Sequence, residues 1–239
     1  MNIALVIAGG TGNRMGQDIP KQFMHVAGKP IIIHTLEAFE RHPDVHAIAV
    51  VCLAGWETVL RAYANQFNIT KLKHIFPGGS TGQESIRNGV FGLKEHCAAD
   101  DIVIIHDGIR PFVDESVLSD VIVKAQIHGN AVTSLPYNEQ IFIKENEEST
   151  RKYIPRETLR RVQTPQAYRF EKLHWAYQKA FAEKIGIYGS SYTNTMMTDL
   201  GETLYFAAGS EKNIKLTTLD DIALFKALLS AEPEKWLKK

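Results

Sequence analysis

A glycine-rich, basic segment follows a short apolar run near the start of the chain. Residues 7–16 read Ile-Ala-Gly-Gly-Thr-Gly-Asn-Arg-Met-Gly, and Lys21 follows closely behind Arg14. Glycines let backbone N–H groups approach phosphate oxygens and form an anion-binding nest. Two cations beside such a nest suit a triphosphate whose α-phosphate gains negative charge in the transition state. The segment therefore predicts chemistry on a nucleotide, with Arg14 and Lys21 as its cations.

Three phosphate-binding motifs compete for this segment. A Walker A loop would end in Gly-Lys-Ser/Thr, which is absent. A dinucleotide fingerprint would need G-x-G-x-x-G, and Gly10, Gly12 and Gly16 miss that spacing by one residue. A nucleotidyltransferase loop has glycines followed by an Arg and then a Lys, as here. That third pattern is also favoured over a tight turn with solvated cations, because Pro20-Lys21-Gln22 follows in register.

Asp107 directly follows a buried strand predicted at residues 101–106, and Arg110-Pro111 comes shortly after it. Ligands bind at the carboxyl ends of strands in open α/β sheets. Magnesium prefers one or two carboxylates together with phosphate oxygens and waters. We therefore interpret Asp107 as a Mg²⁺ ligand rather than as a turn or capping residue.

The elements that must position these residues alternate between short apolar runs and amphipathic stretches. This alternation predicts an α/β fold with a doubly wound, mostly parallel sheet. Strands are predicted at 3–7, 46–53, 72–76, 101–106, 131–136 and 203–207, and helices at 30–41, 57–67, 83–96, 115–126, 170–184 and 219–229. Residues 137–161 are polar and charged, and we predict an extended hairpin or arm there, the alternative being a flexible surface loop. We expect one domain over residues 1–239, with the arm within it.

Bulk composition excludes several classes of protein. Lys+Arg and Asp+Glu number 27 each, so the formal net charge of zero argues against a nucleic-acid-coating protein. No apolar stretch approaches 18 residues, and the N-terminus has no basic start, so neither a membrane span nor a signal peptide is predicted. Two cysteines without a pairing signal indicate a reducing, cytoplasmic location.

The chain resembles the bacterial cytidylyltransferases that act on 2-C-methyl-D-erythritol 4-phosphate and on D-ribitol 5-phosphate. The resemblance covers essentially the whole length, and its specificity comes from the order and spacing of the landmarks. These are residues 8–16 of the glycine-rich segment, Pro20-Lys-Gln-Phe23, Gly28-Lys-Pro30 with His34-Thr35, Gly78-Gly79 leading to Ser85, His106-Asp-Gly-Ile-Arg-Pro111, Gln163-Thr-Pro-Gln166 and Asn213-Ile-Lys-Leu-Thr217.

The resemblance implies a role for each matching residue. The cytidine and phosphate side would be lined by Ala8, Gly9, Gly10 and Gly12, with Gly79, Ser80 and Ser85 reading the cytosine edge and Gly108 against the ribose. Arg14 and Lys21 would stabilise the transition state, and Asp107 would bind Mg²⁺. The polyol phosphate would be bound by Arg110, Arg156, Thr164 and Lys215, with Arg156 among the catalytic residues. The family fold is a modified dinucleotide-binding domain whose arm swaps across a homodimer, so Arg110 and the arm residues would complete the partner's site.

The implied reaction is an in-line attack by the acceptor's phosphate oxygen on the α-phosphate of CTP. A phosphate monoester has a second pKa of about 6, so its oxygen is already charged near neutral pH and needs no general base. The expected substrates are CTP and a polyol phosphate, with no nucleic acid or membrane as partner. Two alternatives are a CTP-binding regulatory protein without turnover and, from the near-miss fingerprint, a nicotinamide-dependent oxidoreductase.

Three positions depart from the family pattern. Gly82 stands where an Arg is usual, and Pro136-Tyr-Asn-Glu-Gln140 replaces an Asp-Thr pair on the arm, at Glu139 and Gln140. Ser191-Tyr192-Thr-Asn194-Thr195 replaces a Thr-Asp or Ser-Asp pair. The transfer machinery therefore matches the family while the acceptor pocket differs. The Ala-Gly-Gly form of the loop favours the ribitol-phosphate group, and a third polyol phosphate stays open.

Overall fold

The computed structural model describes residues 1–10, 19–189 and 192–231. Eleven strands and seven α-helices are found within these residues. The strands are β1 (Asn2–Ala8), β2 (His25–Val26), β3 (Lys29–Pro30), β4 (Ala47–Cys52), β5 (Leu72–Pro77), β6 (Ile102–Asp107), β7 (Asn130–Pro136), β8 (Ile141–Ile143), β9 (Lys152–Ile154), β10 (Arg160–Arg169) and β11 (Phe206–Ala208). The helices are α1 (Ile31–Arg41), α2 (Glu57–Gln66), α3 (Gly82–Gly92), α4 (Glu115–His128), α5 (Phe170–Glu183), α6 (Thr193–Asp199) and α7 (Leu219–Ser230).

Seven strands form the central sheet, in the order β11-β7-β10-β6-β1-β4-β5. β1 lies between β4 and β6 and is parallel to both, with Ile7 opposite Val51 on one side and Asp107 on the other. These strands are nearly continuous apolar runs because helices cover both faces of the sheet. The carboxyl ends of β1 and β6 consequently meet at one edge, which brings the glycine-rich loop and Asp107 together.

Two hydrophobic clusters lie on opposite faces of the sheet. One joins alternate strand residues such as Val6 and Ile104 to Leu36 of α1 and Leu118 of α4. The other joins Leu5 and Val103 to Val90 of α3 and Leu173 of α5. A third, smaller cluster packs Phe225 of α7 against Ile31 and Ile109. The fold is therefore a three-layer α/β/α arrangement, as predicted.

Helix α3 approaches the sheet very closely at one glycine. A Cβ atom on Gly89 would lie 2.6 Å from Cγ2 of Val51 and 2.8 Å from Cδ1 of Leu5. Only a residue without a side chain fits there, so at Gly89 the helix packs directly against the side chains of β1 and β4.

The predicted strands and helices are present, with shifts of a few residues at their ends; the largest is in α3, which ends at Gly92 rather than at 96. Strand β10 was not predicted. It runs antiparallel between β6 and β7, in the middle of the sheet. The polar stretch 137–161 contains the two-stranded hairpin β8–β9, as predicted for an arm. Helix α6 and the short β2–β3 pair were also missed.

None of the helices within the described residues combines the length and the apolar character needed to cross a lipid bilayer.

Candidate active site

A cavity of about 720 Å³ opens at the carboxyl ends of β1 and β6. Most of the site residues inferred from the sequence line it. These are Ala8, Gly9, Gly10, Lys21, Gly79, Ser80, Ser85, Asp107, Arg110, Thr164 and Lys215. Gly12 and Arg14 lie outside the described residues, so their predicted roles stay predictions.

Gln22 holds the start of the glycine-rich loop. Its side chain is buried, and its Nε2 donates to the carbonyl of Ala8 at 2.8 Å and to that of Gly10 at 2.9 Å. Gln22 belongs to the short 3-10 turn Lys21–Phe23, so the same turn places Lys21 at the cavity wall. The landmark Pro20-Lys-Gln-Phe23 thus has a structural reason: the Gln22 amide fixes the loop and the neighbouring Lys21 lines the cavity.

The first turn of α3 forms a second wall. Thr81 caps the helix by accepting the N–H of Glu84. The Ser85 hydroxyl accepts the N–H of Gly79 at 2.9 Å and donates to the carbonyl of Thr81 at 2.9 Å. A Cβ on Gly79 would lie 2.4 Å from Cβ of Glu84, so a glycine is required at this contact. A capped helix N-terminus carries partial positive charge and suits an anionic or hydrogen-bond-accepting ligand.

Asp107 is surrounded by cationic and hydroxyl groups. Its Oδ2 lies 2.9 Å from Nε of Arg110, and Nζ of Lys215 lies 3.2 Å from Oδ1. The Thr164 hydroxyl accepts the N–H of Asp107 at 3.1 Å and lies 3.4 Å from Oδ2. Burial would raise the pKa of the Asp107 carboxyl, but the charges of Lys215 and Arg110 outweigh that effect and lower it to about 2. Asp107 is therefore ionised at neutral pH.

Asn213 connects the Arg110 and Thr164 sides of this cluster. Its carbonyl accepts Nη1 of Arg110 at 2.7 Å, and its Nδ2 donates to the carbonyl of Thr164 at 2.6 Å. Asn213 is fully buried, so these bonds hold Arg110 and Thr164 in fixed positions. Two residues further along the chain, Lys215 reaches Asp107 from the same segment.

His106 positions the turn after β6. Its Nε2 donates to the carbonyl of Arg110 at 3.0 Å, which makes Nε2 the protonated nitrogen. The ring is fully buried, and burial lowers the pKa of His106 to about 4. Its Nδ1 is buried without a hydrogen-bond partner among the described residues.

Two residues from the predicted site are not among the cavity-lining residues that the structure describes. Gly108 packs against β1, where its N–H donates to the carbonyl of Ile7 at 2.9 Å and its carbonyl accepts the Thr35 hydroxyl at 3.0 Å. Arg156 lies at the root of the arm, half-exposed, with Nη1 donating to the carbonyl of Asn138 at 3.2 Å. The predicted role of Arg156 stays a prediction.

The Arg110 side chain is only 14% exposed and lines the cavity of its own chain. The carbonyl of Asn213 and the carboxylate of Asp107 fix it there. The expected contribution of Arg110 to a partner's site stays a prediction.

The structure also adds cavity residues to which the sequence had assigned no role. Tyr192, Thr193 and Asn194 line the cavity where the chain departs from the family pattern. They are placed there by Tyr177, whose buried hydroxyl lies 2.7 Å from the Thr193 hydroxyl and donates to Oε1 of Gln83 at 2.9 Å. These contacts join residues far apart in the chain, and a local sequence pattern carries no signal for them.

The architecture is shared with solved structures. A 2-C-methyl-D-erythritol 4-phosphate cytidylyltransferase from Thermus thermophilus superposes with a TM-score of 0.74 at 26% identity, covering 95% of this chain and 98% of that one. A 4-diphosphocytidyl-2C-methyl-D-erythritol synthase from Anaerococcus prevotii gives 0.80 at 20% identity, covering 96% and 98%. With its glycine-rich loop, cations and single cavity aspartate among the described lining residues, the chain is of the nucleotidyltransferase class.

Comparison of the sequence with known proteins identifies the family within this class. The family model described as 2-C-methyl-D-erythritol 4-phosphate cytidylyltransferase matches residues 2–231. A ribitol-5-phosphate cytidylyltransferase from Lacticaseibacillus paracasei is 63% identical over 96% of this chain and 98% of its own length. A 2-C-methyl-D-erythritol 4-phosphate cytidylyltransferase from Clostridium acetobutylicum is 34% identical, covering 96% and 97%. The chain belongs to this cytidylyltransferase family, which confirms the resemblance seen in its motifs.

Membership of this family makes the chain an enzyme of CTP-dependent cytidylyl transfer. The alternative of a regulatory protein without turnover has no support among these relatives, each of which bears the name of a transferase.

Proposed function

We propose that the enzyme transfers the cytidylyl group of CTP to D-ribitol 5-phosphate and releases pyrophosphate. The observation that carries the choice of acceptor is the 63% identity to the ribitol-5-phosphate enzyme of Lacticaseibacillus paracasei, against 34% to the methylerythritol-phosphate enzyme of Clostridium acetobutylicum. Both alignments cover 96% of the chain, so the difference in identity concerns the whole enzyme.

The nucleotide half of the cavity in this proposal is the side formed by the glycine-rich loop and α3. Gly9 and Gly10 would bring backbone N–H groups close to the phosphates, and Ser80 and Ser85 would lie at the pyrimidine edge. Lys21 lies on the same side and would bind the triphosphate. Arg14 keeps its predicted role as the second triphosphate cation, and Gly108 keeps its predicted place by the ribose.

The acceptor half is the cluster around Asp107. The described residues that line the whole cavity include three cationic side chains and one acidic residue, Asp107. The cations are Lys21, Arg110 and Lys215. This excess of positive charge suits two phosphate-bearing substrates that must approach each other. Lys215, Arg110 and the hydroxyl of Thr164 would bind the acceptor's phosphate, and Arg156 would reach it from the arm.

The reaction forms a bond between an acceptor phosphate oxygen and the α-phosphorus of CTP, and breaks the bond from that phosphorus to the bridging oxygen of pyrophosphate. The attacking oxygen is already anionic above its second pKa of about 6, so no side chain has to remove a proton. The buried, neutral His106 faces the Arg110 carbonyl and is not needed as a base. Lys21 and Arg14 would stabilise the charge that grows on the α-phosphate, and rate acceleration would come from orientation and electrostatics.

The residues present fit a magnesium ion. Asp107 is ionised and is the only carboxylate among the described residues that line the cavity. Within the described part of the chain, no group of three or more His, Cys, Asp and Glu side chains could hold a metal by protein ligands alone. One carboxylate completed by phosphate oxygens and waters is a common arrangement for Mg²⁺. When bound, the ion would neutralise phosphate charge beside Asp107.

We also propose that two chains associate through the arm. The hairpin β8–β9 exposes Phe142 and Tyr153, each more than 60% exposed, together with Ile143. Such a patch on a two-stranded hairpin favours cover by a second chain, and Arg156 at the arm's root could then serve the partner's cavity. Sedimentation of the enzyme should show a dimer, and Phe142→Glu should dissociate it. A monomeric unsubstituted enzyme would refute this part of the proposal.

A cytoplasmic location completes the proposal. Cys52 and Cys97 are both free thiols, which agrees with a reducing compartment.

The decisive experiment measures pyrophosphate release with CTP and Mg²⁺ for three acceptors: D-ribitol 5-phosphate, 2-C-methyl-D-erythritol 4-phosphate and glycerol 3-phosphate. We expect the highest kcat/KM with D-ribitol 5-phosphate. A higher value with either of the others would overturn the proposed acceptor while leaving cytidylyl transfer intact.

A further inference from the structure

Tyr192 stands on the wall of the cavity at a position where the chain leaves its family's pattern. Its side chain is 54% exposed, and its residue lines the cavity immediately before α6. A large aromatic side chain that exposes this much surface at a cavity wall is free to contact a ligand.

The ring of Tyr192 lies close to the ammonium of Lys215. Nζ of Lys215 is 5.7 Å from the ring centroid, within the range in which an aromatic face attracts a cation. The same Nζ lies 3.2 Å from Asp107. A lysine ammonium sits on a flexible four-carbon stem and has no preferred direction of its own. The ring and the carboxylate together therefore define its position.

The fold fixes the segment that carries this ring. Nε2 of Gln83 donates to the carbonyl of Gly186 at 2.9 Å, before Tyr192, and the Tyr177 hydroxyl lies 2.7 Å from the Thr193 hydroxyl, directly after it. Gln83 and Tyr177 are buried and bonded to each other at 2.9 Å. Thr193, directly after Tyr192, is thus attached to Tyr177 of α5 and through it to Gln83 of α3.

The phenol of Tyr192 is not needed to begin α6. The backbone N–H of Tyr192 donates to the Thr195 hydroxyl at 2.8 Å, and that hydroxyl lies 3.0 Å from the Tyr192 carbonyl. Both contacts use main-chain atoms of Tyr192, so a substitution there leaves the start of the helix unchanged. The side chain is available for a role at the cavity.

We propose that Tyr192 is a positioning residue for the acceptor: its ring holds the Lys215 ammonium where the phosphate of the polyol phosphate binds. This inference rests on the proposed function. An aromatic face attracts the ammonium without cancelling its charge, whereas a carboxylate in the same place would compete with the phosphate. When an anionic acceptor enters, Lys215 can turn its N–H groups from Asp107 to the phosphate while it stays against the ring.

Three variants test this role. Tyr192→Leu removes the aromatic face, Tyr192→Phe keeps the face and removes the hydroxyl, and Tyr188→Ala is the control. Tyr188 is 65% exposed in the same segment and is not among the described residues that line the cavity. For each, the KM for D-ribitol 5-phosphate, the KM for CTP, kcat and the melting temperature are measured.

The loss of one cation–aromatic contact corresponds to roughly a 3- to 10-fold change in a binding constant. We expect Tyr192→Leu to raise the KM for D-ribitol 5-phosphate by that factor, with little change in kcat, in the KM for CTP or in the melting temperature. Tyr192→Phe should restore the low KM, and Tyr188→Ala should resemble the unsubstituted enzyme.

An unchanged acceptor KM in Tyr192→Leu, a Phe variant as impaired as the Leu variant, or a rise in the KM for CTP alone would each overturn the inference. Failure of the proposed function is distinguishable, because the unsubstituted enzyme would then give a higher kcat/KM with another acceptor, or no product with any of them.

Discussion

The ammonium of Lys215 lies 3.2 Å from both carboxylate oxygens of Asp107, although the two residues are 108 positions apart in the chain. Arg110 approaches the same carboxylate at 2.9 Å. The Asp107 carboxylate therefore neutralises part of the positive charge of Lys215 and Arg110 when no substrate is bound. Binding of phosphate groups to Lys215 and Arg110 would release the carboxylate for a metal ion, so the two events would favour each other.

Asp107→Asn tests the carboxylate. An amide cannot supply the negative charge that a magnesium ion needs, and the loss of several kcal/mol of charge stabilisation corresponds to a rate reduction of at least about 100-fold. The measurement is pyrophosphate release over a titration with Mg²⁺. Asp100→Asn, at a carboxylate that is 89% exposed, is the matched control. A normal rate in Asp107→Asn would exclude Asp107 as the metal ligand.

Lys21→Ala tests the cation beside the glycine-rich loop. Lys21 lines the cavity, and removal of one preorganised charge at a transition state costs on the order of 10²–10³-fold in kcat. The turn itself should persist, because Gln22 and not Lys21 makes the bonds to the carbonyls of Ala8 and Gly10. Single-turnover kinetics with CTP should show the loss, and a Lys→Ala change at the exposed Lys73 of β5 should not. A Lys21→Ala enzyme of near-normal rate would remove the assigned role.

Gly79 and Gly82 form a matched pair of glycines at the start of α3. A Cβ on Gly79 would lie 2.4 Å from Cβ of Glu84 and 2.9 Å from the backbone nitrogen of Ser85, whereas a Cβ on Gly82 meets no described atom within 4 Å. We expect Gly79→Ala to lower the free energy of unfolding by about 1–3 kcal/mol and to raise the KM for CTP. Gly82→Ala should change stability by less than about 0.5 kcal/mol. Equal effects at both positions would contradict the close contact at Gly79.

Asp221 gives a pH-dependent prediction for the segment that carries Lys215. Its carboxylate accepts the N–H groups of Thr217 and Thr218 at 2.8 Å each. Burial alone would raise the pKa of Asp221, but these hydrogen bonds outweigh it and lower the pKa. The stabilisation is therefore present above the ordinary aspartate pKa and is lost as the pH falls through the lowered value.

Asp221→Asn should accordingly cost about 1 kcal/mol of unfolding free energy at pH 7. The difference in unfolding free energy between this variant and the unsubstituted enzyme should shrink as the pH is lowered below about 4. Denaturant unfolding at pH 7 and pH 3 measures it. Asp220→Asn, in the same first turn but exposed, controls for the helix dipole. A difference that stays constant with pH would contradict the capping role.

The parallel strands could be predicted because a strand that is buried on both faces is a continuous run of apolar residues, which the sequence shows directly. β1 and β6 are continuous apolar runs, and the residues after them had to meet at one sheet edge. The positions of Lys21, Asp107 and Ser85 in one cavity follow from that rule together with the motifs.

Strand β10 could not be predicted in the same way. Its sequence, Arg-Arg-Val-Gln-Thr-Pro-Gln-Ala-Tyr-Arg, is polar and contains a proline. Its buried Gln163 has its partner 50 positions away in the chain, since Nε2 of Gln163 donates to the carbonyl of Asn213 at 3.5 Å. The attachment of Tyr192 to the cavity through Gln83 and Tyr177 is equally non-local, so residue types alone do not reveal it.

Strand β10 has a consequence for how this sequence can vary. The strand begins at the root of the arm, pairs with β7 and β6, and carries Thr164 to the side of Asp107. Residues 144–151 at the arm's tip can be lengthened or shortened without moving Thr164, because β8 and β9 pair only with each other among the described strands. One inserted residue within β10 would instead turn every following side chain to the opposite face of the sheet. The tip is therefore open to insertions and deletions, whereas the strand tolerates no change in the number of its residues.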